Sequence, residues 1–128
     1  MGVEYQIQDG VLIMSFVDRY QADDVTECFL AALKDPACPQ PVALLVDVSR
    51  SEVLAERPAS EIKRVAEFLG PYADRIGGRC AVVAPADVHF GLSQMGSVHT
   101  ERVGVTSRVF RTREQAVAWL KGLPASRT

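Results

Sequence analysis

The chain has 128 residues, of which 48% are hydrophobic and 23% are charged. These values are typical of a globular domain rather than a disordered segment, and the length fits one domain. Its 14 basic and 16 acidic side chains leave a formal charge of −2, which gives no positive field to attract a nucleic acid. No apolar run approaches the ~20 residues that cross a bilayer, and the first residues do not resemble a signal peptide. We expect one cytoplasmic domain over residues 1–123 and a frayed tail at 124–128.

The first half of the chain predicts a hairpin, a helix and a central strand. Two strand-like runs flank Asp9-Gly10, a pair that favours a tight hairpin because such turns require positive φ. From Gln21 onwards apolar residues recur at helical spacing, and Asp35-Pro36 stops this helix. The run PVALLVDV is apolar on both faces, which is typical of a central parallel strand.

The second half of the chain alternates helices with strands. Pro58 suits the first turn of a helix, where its missing N–H costs nothing. Gly77-Gly78 ends that helix, and the run RCAVVAP predicts a second buried strand. Asp87 is expected to cap the next helix, and Thr112 the last one, which follows a short strand TSRVF. This order predicts an α/β fold with an N-terminal β-hairpin, a mixed, mostly parallel sheet of about five strands, and about four helices.

The segment PADVHFGLSQMGSVHT holds both histidines of the chain. At about 100° per residue, its residues fall on two helix faces. The face expected to pack on the sheet carries Val88, Leu92, Met95 and His99. The face expected to meet solvent carries Ser93, Ser97, Thr100 and Glu101. His89 and His99 point in different directions along this helix, so they cannot share an ion as an i, i+4 pair can. We therefore expect no metal site, and no cofactor.

The cysteines and serines of the chain do not form a recognisable catalytic set. The chain has three cysteines, an odd number, and no C-x-x-C motif. This favours buried free thiols in a reducing compartment for Cys28, Cys38 and Cys80. GLSQMG differs from the G-x-S-x-G nucleophile elbow, and Ser93 lies about two turns inside its helix. The sequence therefore predicts a protein that is not an enzyme. A small hydrolase that uses Ser93 or Cys80 is the weakest alternative.

Segments spread over nearly the whole chain carry a family resemblance. The early hairpin, LLVDVS in a central strand, CAVVAPADVHFGLSQM and VFRTREQAVAWL together resemble the SpoIIAA-like family of the STAS (sulfate transporter and anti-sigma factor antagonist) fold. STAS domains are generally non-catalytic modules that bind proteins, and some bind nucleotides or small ligands. The similarity of the SpoIIAA-like branch to lipid-binding SEC14-type domains implies an apolar ligand or a role at a membrane surface.

The same resemblance bears on phosphorylation. STAS domains that antagonise anti-sigma factors carry a phosphorylatable serine in a D-S-S-G-like motif at a helix start, shortly after D-L-S at a strand end. Asp47-Val48-Ser49 matches the D-L-S position, but the helix start reads ERPASE. Ser60 is the nearest hydroxyl and the candidate phosphoacceptor. The resemblance therefore implies a module without a recognisable phosphoserine switch.

The binding surface is expected at the carboxyl ends of the parallel strands, where open α/β sheets bind ligands. The candidate ligand-binding residues are Ser49, Arg50, Arg57, Phe68, Tyr72, Asp87, His89 and Phe90. The basic members would suit an anionic group at a helix N-terminus, and the aromatic members would supply an apolar floor. The sequence thus predicts a regulatory module that recognises a protein partner or a small apolar or anionic ligand. A lipid-like ligand, peripheral membrane contact and a homodimer stay open.

Overall fold

A computed structural model describes residues 2–51, 56 and 58–122 as a five-stranded sheet with helices on both faces. The strands are β1 (Val3–Gln8), β2 (Val11–Asp18), β3 (Ala43–Ser51), β4 (Arg79–Val83) and β5 (Thr106–Phe110). The helices are α1 (Ala22–Lys34), α2 (Ala59–Phe68), α3 (Asp87–Arg102) and α4 (Arg113–Leu120), with a 3₁₀ helix at Gly70–Ile76. The tail expected at 124–128 lies outside the described residues.

The strands lie in the sheet in their sequence order, from β1 to β5. β1 and β2 pair antiparallel, and the turn between them contains Asp9 at φ 53° and Gly10 at φ 80°. All later neighbours pair parallel, with β3 in the centre. The predicted fold class is therefore confirmed: the sheet is mixed and mostly parallel, and it begins with a hairpin.

The core has two apolar layers, one on each face of the sheet. The larger layer includes Phe29 of α1 and Leu44 of β3, and it lies under α1, α2 and α3. The smaller layer packs Ala116 of α4 on Leu45 and Ala81 of the sheet. Side chains alternate between the two faces along a strand, so Leu44 of β3 packs in the larger layer and Leu45 in the smaller one. This agrees with the prediction that β3 is apolar on both faces.

Side-chain caps fix two of the helix starts. The backbone nitrogen of Gln21 donates to Asp24 Oδ2 over 2.8 Å as part of a capping box at α1. The Thr112 hydroxyl accepts from the Gln115 backbone over 3.2 Å at α4, as predicted. Asp87 does not cap α3 but is its first helical residue, with Ala86 at the N-cap position, and its carboxylate pairs with Arg111, which follows β5.

α3 packs on the sheet through the face that the sequence predicted to meet solvent. Val88 is 55% exposed and Met95 is 39% exposed, although both were expected to pack. Thr100 is buried, and Ser93 and Ser97 are half-buried, although all three were expected to be solvated. The predicted orientation of this helix is therefore wrong.

The face of α3 that packs inward carries small side chains. Gly96 faces α2, and a Cβ atom built there would lie 3.6 Å from Ile62 Cγ2, an ordinary contact distance. Leu92 and His99 lie at the border between the two faces and are half-buried. The close approach of α3 to α2 and the sheet leaves the bulkier apolar residues on the outside.

Candidate ligand-binding site

The two candidates at the end of β3 are exposed and engaged in local contacts. The Ser49 backbone nitrogen donates to Asp47 Oδ1 over 2.9 Å. Arg50 Nη2 lies 3.6 Å from Glu4 Oε1, with both side chains more than half exposed, so this ion pair adds little stability. Arg57 lies outside the described residues, so its predicted place beside Arg50 stays a prediction.

Asp87 and Phe90, at the start of α3, meet on a residue that the sequence did not single out. Arg111 Nη1 lies 2.7 Å from Asp87 Oδ1 and donates to the Pro85 carbonyl over 2.8 Å. Its guanidinium carbon is 4.0 Å from the centre of the Phe90 ring, within reach of a cation–π interaction. His89 is half-buried, and its Nδ1 has no hydrogen-bond partner within the described residues. Arg111 thus joins two predicted site residues into a contact that holds the first turn of α3.

Phe68 and Tyr72 form an aromatic cluster with Phe29. Their ring centres are 5.7 Å and 5.4 Å from that of Phe29, in edge-to-face arrangements. The 3₁₀ helix that carries Tyr72 reaches the amino end of β3, where Val42 donates to the Arg75 carbonyl over 2.9 Å. Phe68, Tyr72 and Phe90 all pack against the larger core layer, and the ring contacts of Phe68 and Tyr72 are with Phe29 and with each other.

The candidate nucleophiles differ in their exposure. Ser60, the candidate phosphoacceptor, is exposed in the first turn of α2. Cys80 is only 3% exposed, and its burial raises the pKa of the thiol to about 12, although hydrogen bonding between the Cys80 and Ser107 side chains works to lower that pKa. Because the thiolate is the nucleophilic form, Cys80 is unreactive at neutral pH. Ser93 is half-buried on the inner side of α3.

A cavity of about 150 Å³ lies between the sheet and the helices α1, α2 and α3. Most of its wall is apolar. The sheet contributes residues such as Met14, Val46 and Val82, and the helices contribute residues such as Val25, Ile62 and Leu92. Of the described residues predicted to bind a ligand, Phe68 lines this cavity. The cavity itself was not predicted, because its walls come from elements that are distant in the sequence.

One wall of the cavity is polar and consists of hydroxyl groups from α3 and β5. The Ser97 hydroxyl donates to the Ser93 carbonyl over 3.1 Å, and the Thr100 hydroxyl donates to the Ser97 carbonyl over 3.0 Å. The hydroxyl oxygens of Thr100 and Ser107 lie 2.7 Å apart. All four residues line the cavity, together with Glu61 of α2. We call the side chains of Ser97, Thr100 and Ser107 the hydroxyl wall.

The sequence contains a pattern that indicates this wall, but the same helix also carries a competing apolar pattern. Ser93, Gly96, Ser97 and Thr100 recur at the i, i+3, i+4, i+7 spacing of one helix face. The apolar residues of the same helix recur at a similar spacing on a neighbouring face, and this apolar periodicity predicts the opposite orientation. If small residues are counted as packing residues, the spacing predicts that the face with the hydroxyl wall packs inward.

Within the described ranges, no group of three or more His, Cys, Asp or Glu side chains is placed to hold a metal ion. The same parts of the chain contain no helix that is both long enough and apolar enough to span a bilayer.

Among the solved structures that share this architecture are two whose alignments cover more than nine tenths of each chain. No protein-family model matches the sequence, and no curated protein sequence matches it. One structure is an uncharacterized protein of the DUF3478 family with a SpoIIAA-like fold from Shewanella loihica PV-4, with a TM-score of 0.55 and 14% identity over 92% of this chain and 91% of that chain. The other is a serine-to-glutamate variant of RsbS from Moorella thermoacetica, with a TM-score of 0.60 and 16% identity over 94% of this chain and 95% of that chain.

The fold of this chain is therefore SpoIIAA-like, and the resemblance drawn from its sequence is confirmed at the level of the fold. Both alignments cover more than nine tenths of each chain, so the likeness extends over the whole domain and not over one motif. At identities of only 14% and 16%, the similarity establishes a shared fold and not a shared function. Since one fold hosts many functions, the function has to be argued from the site.

Proposed function

We propose that the protein is a non-enzymatic binding module of the STAS type that holds a small apolar molecule in the cavity between the sheet and α1, α2 and α3. The cavity is the observation that carries this proposal. It measures about 150 Å³ and has a mainly apolar wall. An engineered, enclosed apolar cavity of about this volume in another protein binds benzene, and the present cavity is partly open to solvent. A molecule with one aromatic ring, or an aliphatic molecule of similar bulk, has the right size.

The candidate nucleophiles support a binding role rather than hydrolysis. Burial raises the pKa of the Cys80 thiol to about 12, so the thiolate is scarce at neutral pH. The Ser93 hydroxyl forms no hydrogen bond to a histidine or a carboxylate within the described residues, and a serine nucleophile needs an adjacent base. The hydrolase alternative thus has little to support it.

The charge of the cavity wall favours a neutral ligand over an anionic one. Among the described lining residues there is no lysine, arginine or histidine, whereas Glu61 brings a carboxylate. Arg50, a candidate for binding an anion, instead contacts Glu4 at the edge of the sheet. An anionic group in the cavity would be desolvated without a cation to balance it.

The test is a titration of ¹⁵N-labelled protein with benzene and toluene, followed by amide chemical shifts. Two glycines of α3 supply a matched pair of variants. In Gly96→Leu the new side chain points toward the cavity and Ile62, whereas Gly91 faces open space with no heavy atom within 4 Å of an added Cβ. Both changes replace glycine with a better helix former.

We expect saturable shifts at cavity residues in the wild type and in Gly91→Leu, and at least about tenfold weaker binding in Gly96→Leu, because a filled cavity excludes the ligand. Native mass spectrometry of the freshly purified protein adds a search for a co-purified molecule. If neither probe shifts any cavity residue in the wild type, the proposal is wrong. Equal weakening in both variants would also contradict it, since one of them leaves the cavity unchanged.

A second candidate function is recognition of a protein partner through the outer face of α3. Val88 and Val98 are each 55% exposed and Met95 is 39% exposed, and the three side chains share one side of the helix. The STAS resemblance implies protein partners in general. The test is a pull-down that compares the wild type with the double variant Val88→Asp, Met95→Asp. A partner that binds the wild type and is lost from the double variant supports this candidate. Flotation with liposomes and the molar mass in solution would reveal membrane contact or a homodimer instead.

A further inference from the structure

We infer that the hydroxyl wall acts as a hydrogen-bond acceptor, so that the cavity selects an apolar molecule with one neutral donor, a hydroxyl or an N–H group. Molecules of the same size that carry a carbonyl or a carboxylate are disfavoured. One-ring phenols are the simplest members of the favoured class. The inference rests on the proposed binding function of the cavity and adds the chemistry by which the cavity discriminates among ligands.

Each hydroxyl proton of the wall has an acceptor within the protein. Each serine or threonine hydroxyl has one proton to donate and two lone pairs that accept. Ser97 donates its proton to the Ser93 carbonyl, and Thr100 donates its proton to the Ser97 carbonyl. In the 2.7 Å contact between the Thr100 and Ser107 hydroxyl oxygens either atom could be the donor; because the Thr100 proton is directed to the Ser97 carbonyl, the donor role is assigned to Ser107. All three protons of the hydroxyl wall are therefore engaged within the protein.

The oxygens of the hydroxyl wall keep lone pairs that can accept further hydrogen bonds. The Thr100 oxygen accepts once, from Ser107, and keeps one lone pair. The oxygens of Ser107 and Ser97 each keep two. Cys80 is the register neighbour of Ser107 across β4 and β5, and its thiol is a weak donor that would use at most one of these lone pairs. The hydroxyl wall therefore offers acceptors and lacks a free donor.

Burial makes this imbalance matter for a ligand. Thr100 is 5% exposed and Ser107 is 9% exposed, so little water is available to satisfy a mismatched group. A ligand donor placed here replaces the hydrogen bond that it loses to water. A ligand acceptor placed here faces lone pairs, and a buried polar group without a partner weakens binding by about tenfold or more.

Of the other polar residues that line the cavity, Glu61 agrees with this preference and Ser93 does not. Glu61 also lines the cavity, and an ionised carboxylate is an acceptor. Ser93 differs, because its hydroxyl forms no hydrogen bond within the described residues, but it is half-buried and lies farther from Ser107 along α3. The discrimination is therefore assigned to Thr100 and Ser107, the buried pair.

The test compares phenol with benzaldehyde, two one-ring probes of similar size and hydrophobicity that differ in donor and acceptor character. Toluene serves as the apolar reference. Dissociation constants come from amide shifts of the full-length protein. In the wild type we expect phenol to bind about tenfold more tightly than benzaldehyde. This comparison needs no variant, so it holds even where a substitution impairs folding.

Two matched threonine variants locate the effect. Thr100→Val removes the Thr100 acceptor and releases the Ser107 proton, while the Ser107 and Ser97 oxygens can still accept, so the preference for phenol over benzaldehyde should fall about tenfold and toluene should bind about equally. Thr106→Val makes the same change at an exposed residue of β5 that does not line the cavity, and it should change none of the three constants. Melting curves of both variants confirm that they are folded.

Each outcome separates this inference from the proposed function. If toluene binds but benzaldehyde binds as tightly as phenol in the wild type, the hydroxyl wall is not selective and the inference is wrong, while the binding function stands. If the preference for phenol over benzaldehyde is unchanged in folded Thr100→Val, the assignment to Thr100 is wrong. If no probe binds to the wild type, the proposed function itself fails.

Discussion

The hydroxyl oxygens of Thr100 and Ser107 lie 2.7 Å apart and join the last turn of α3 to β5. Both side chains are buried, and a buried hydroxyl is costly unless it is hydrogen-bonded. The pair therefore fixes the position of α3 over the sheet and, with it, the wall of the cavity. Its contribution to folding is separable from its contribution to ligand binding.

The first prediction concerns the stability of this pair. Ser107→Ala should lower the free energy of unfolding by about 1 kcal/mol, and Thr100→Val by a similar amount, since each leaves the other hydroxyl without one partner. The double variant should lose less than the sum of the single losses, because both polar groups are then gone. Urea unfolding of the four proteins measures the coupling. Strictly additive losses would show that the two hydroxyls do not depend on each other.

The second prediction concerns the alkaline limb of stability. The pKa of Cys80 is about 12 in the folded protein because the thiol is buried, against a reference of 9.0. Above about pH 9 the unfolded thiol therefore ionises while the folded thiol stays protonated, and stability falls by up to ~1.4 kcal/mol per pH unit as the pH rises.

The control for this prediction is Cys80→Ala, which removes only that thiol. Its free energy of unfolding should fall less steeply than that of the wild type between about pH 9 and pH 11, where only the unfolded thiol ionises. Parallel curves for the two proteins would contradict the assignment of a raised pKa to Cys80.

The third prediction concerns Arg111 and the first turn of α3. Arg111→Ala removes the 2.7 Å contact with Asp87 and the stacking on Phe90, so the free energy of unfolding should fall by about 1 kcal/mol. Amide hydrogen exchange in the first turn of α3 should become faster. Arg108→Ala, an exposed arginine of β5 without an ion pair in the described residues, is the matched control. Equal exchange in both variants would mean that Arg111 does not hold this turn.

The fourth prediction concerns the ion pair of Asp47 with Arg113. Burial works to raise the pKa of Asp47, but hydrogen bonds from Ser49 and the Arg113 guanidinium at 3.0 Å outweigh it and lower the pKa. The carboxylate thus contributes stability above the reference value of 3.8, and this contribution is lost as the pH falls through the lower folded pKa.

Arg113→Gln should therefore destabilise the protein by about 1 kcal/mol at neutral pH and move the midpoint of acid unfolding to higher pH. Arg108→Gln removes the same charge from an exposed site on β5 and should change the midpoint little. An unchanged midpoint in Arg113→Gln would indicate that Ser49 alone sustains the lowered pKa.

Much of the fold could be predicted because the relevant signals are local. The Asp9-Gly10 turn requires positive φ at both residues and has it, and the Thr112 cap needs only a hydroxyl three residues before its donor. β3 reads as a central strand because it is apolar on both faces. Each of these features depends on neighbours in the sequence, and each is found as expected.

The site could be predicted less well because it depends on contacts between distant elements. The faces of α3 compete at the same period, and only the approach of α2, with Ile62 opposite Gly96, decides which face packs inward. The role of Arg111 depends on its reach to Asp87 from another element. A cavity is a volume left between elements, and no residue pattern in one element encodes it.

The central claim is that the cavity between the sheet and α1, α2 and α3 binds a small apolar molecule. The most direct measurement is a crystal structure of the protein soaked with bromobenzene, in which anomalous scattering locates the bromine atom. We expect the anomalous peak inside the cavity, among Val46, Val82 and Ile62. No peak in the cavity at full soaking, or a peak only on the molecular surface, would contradict the claim.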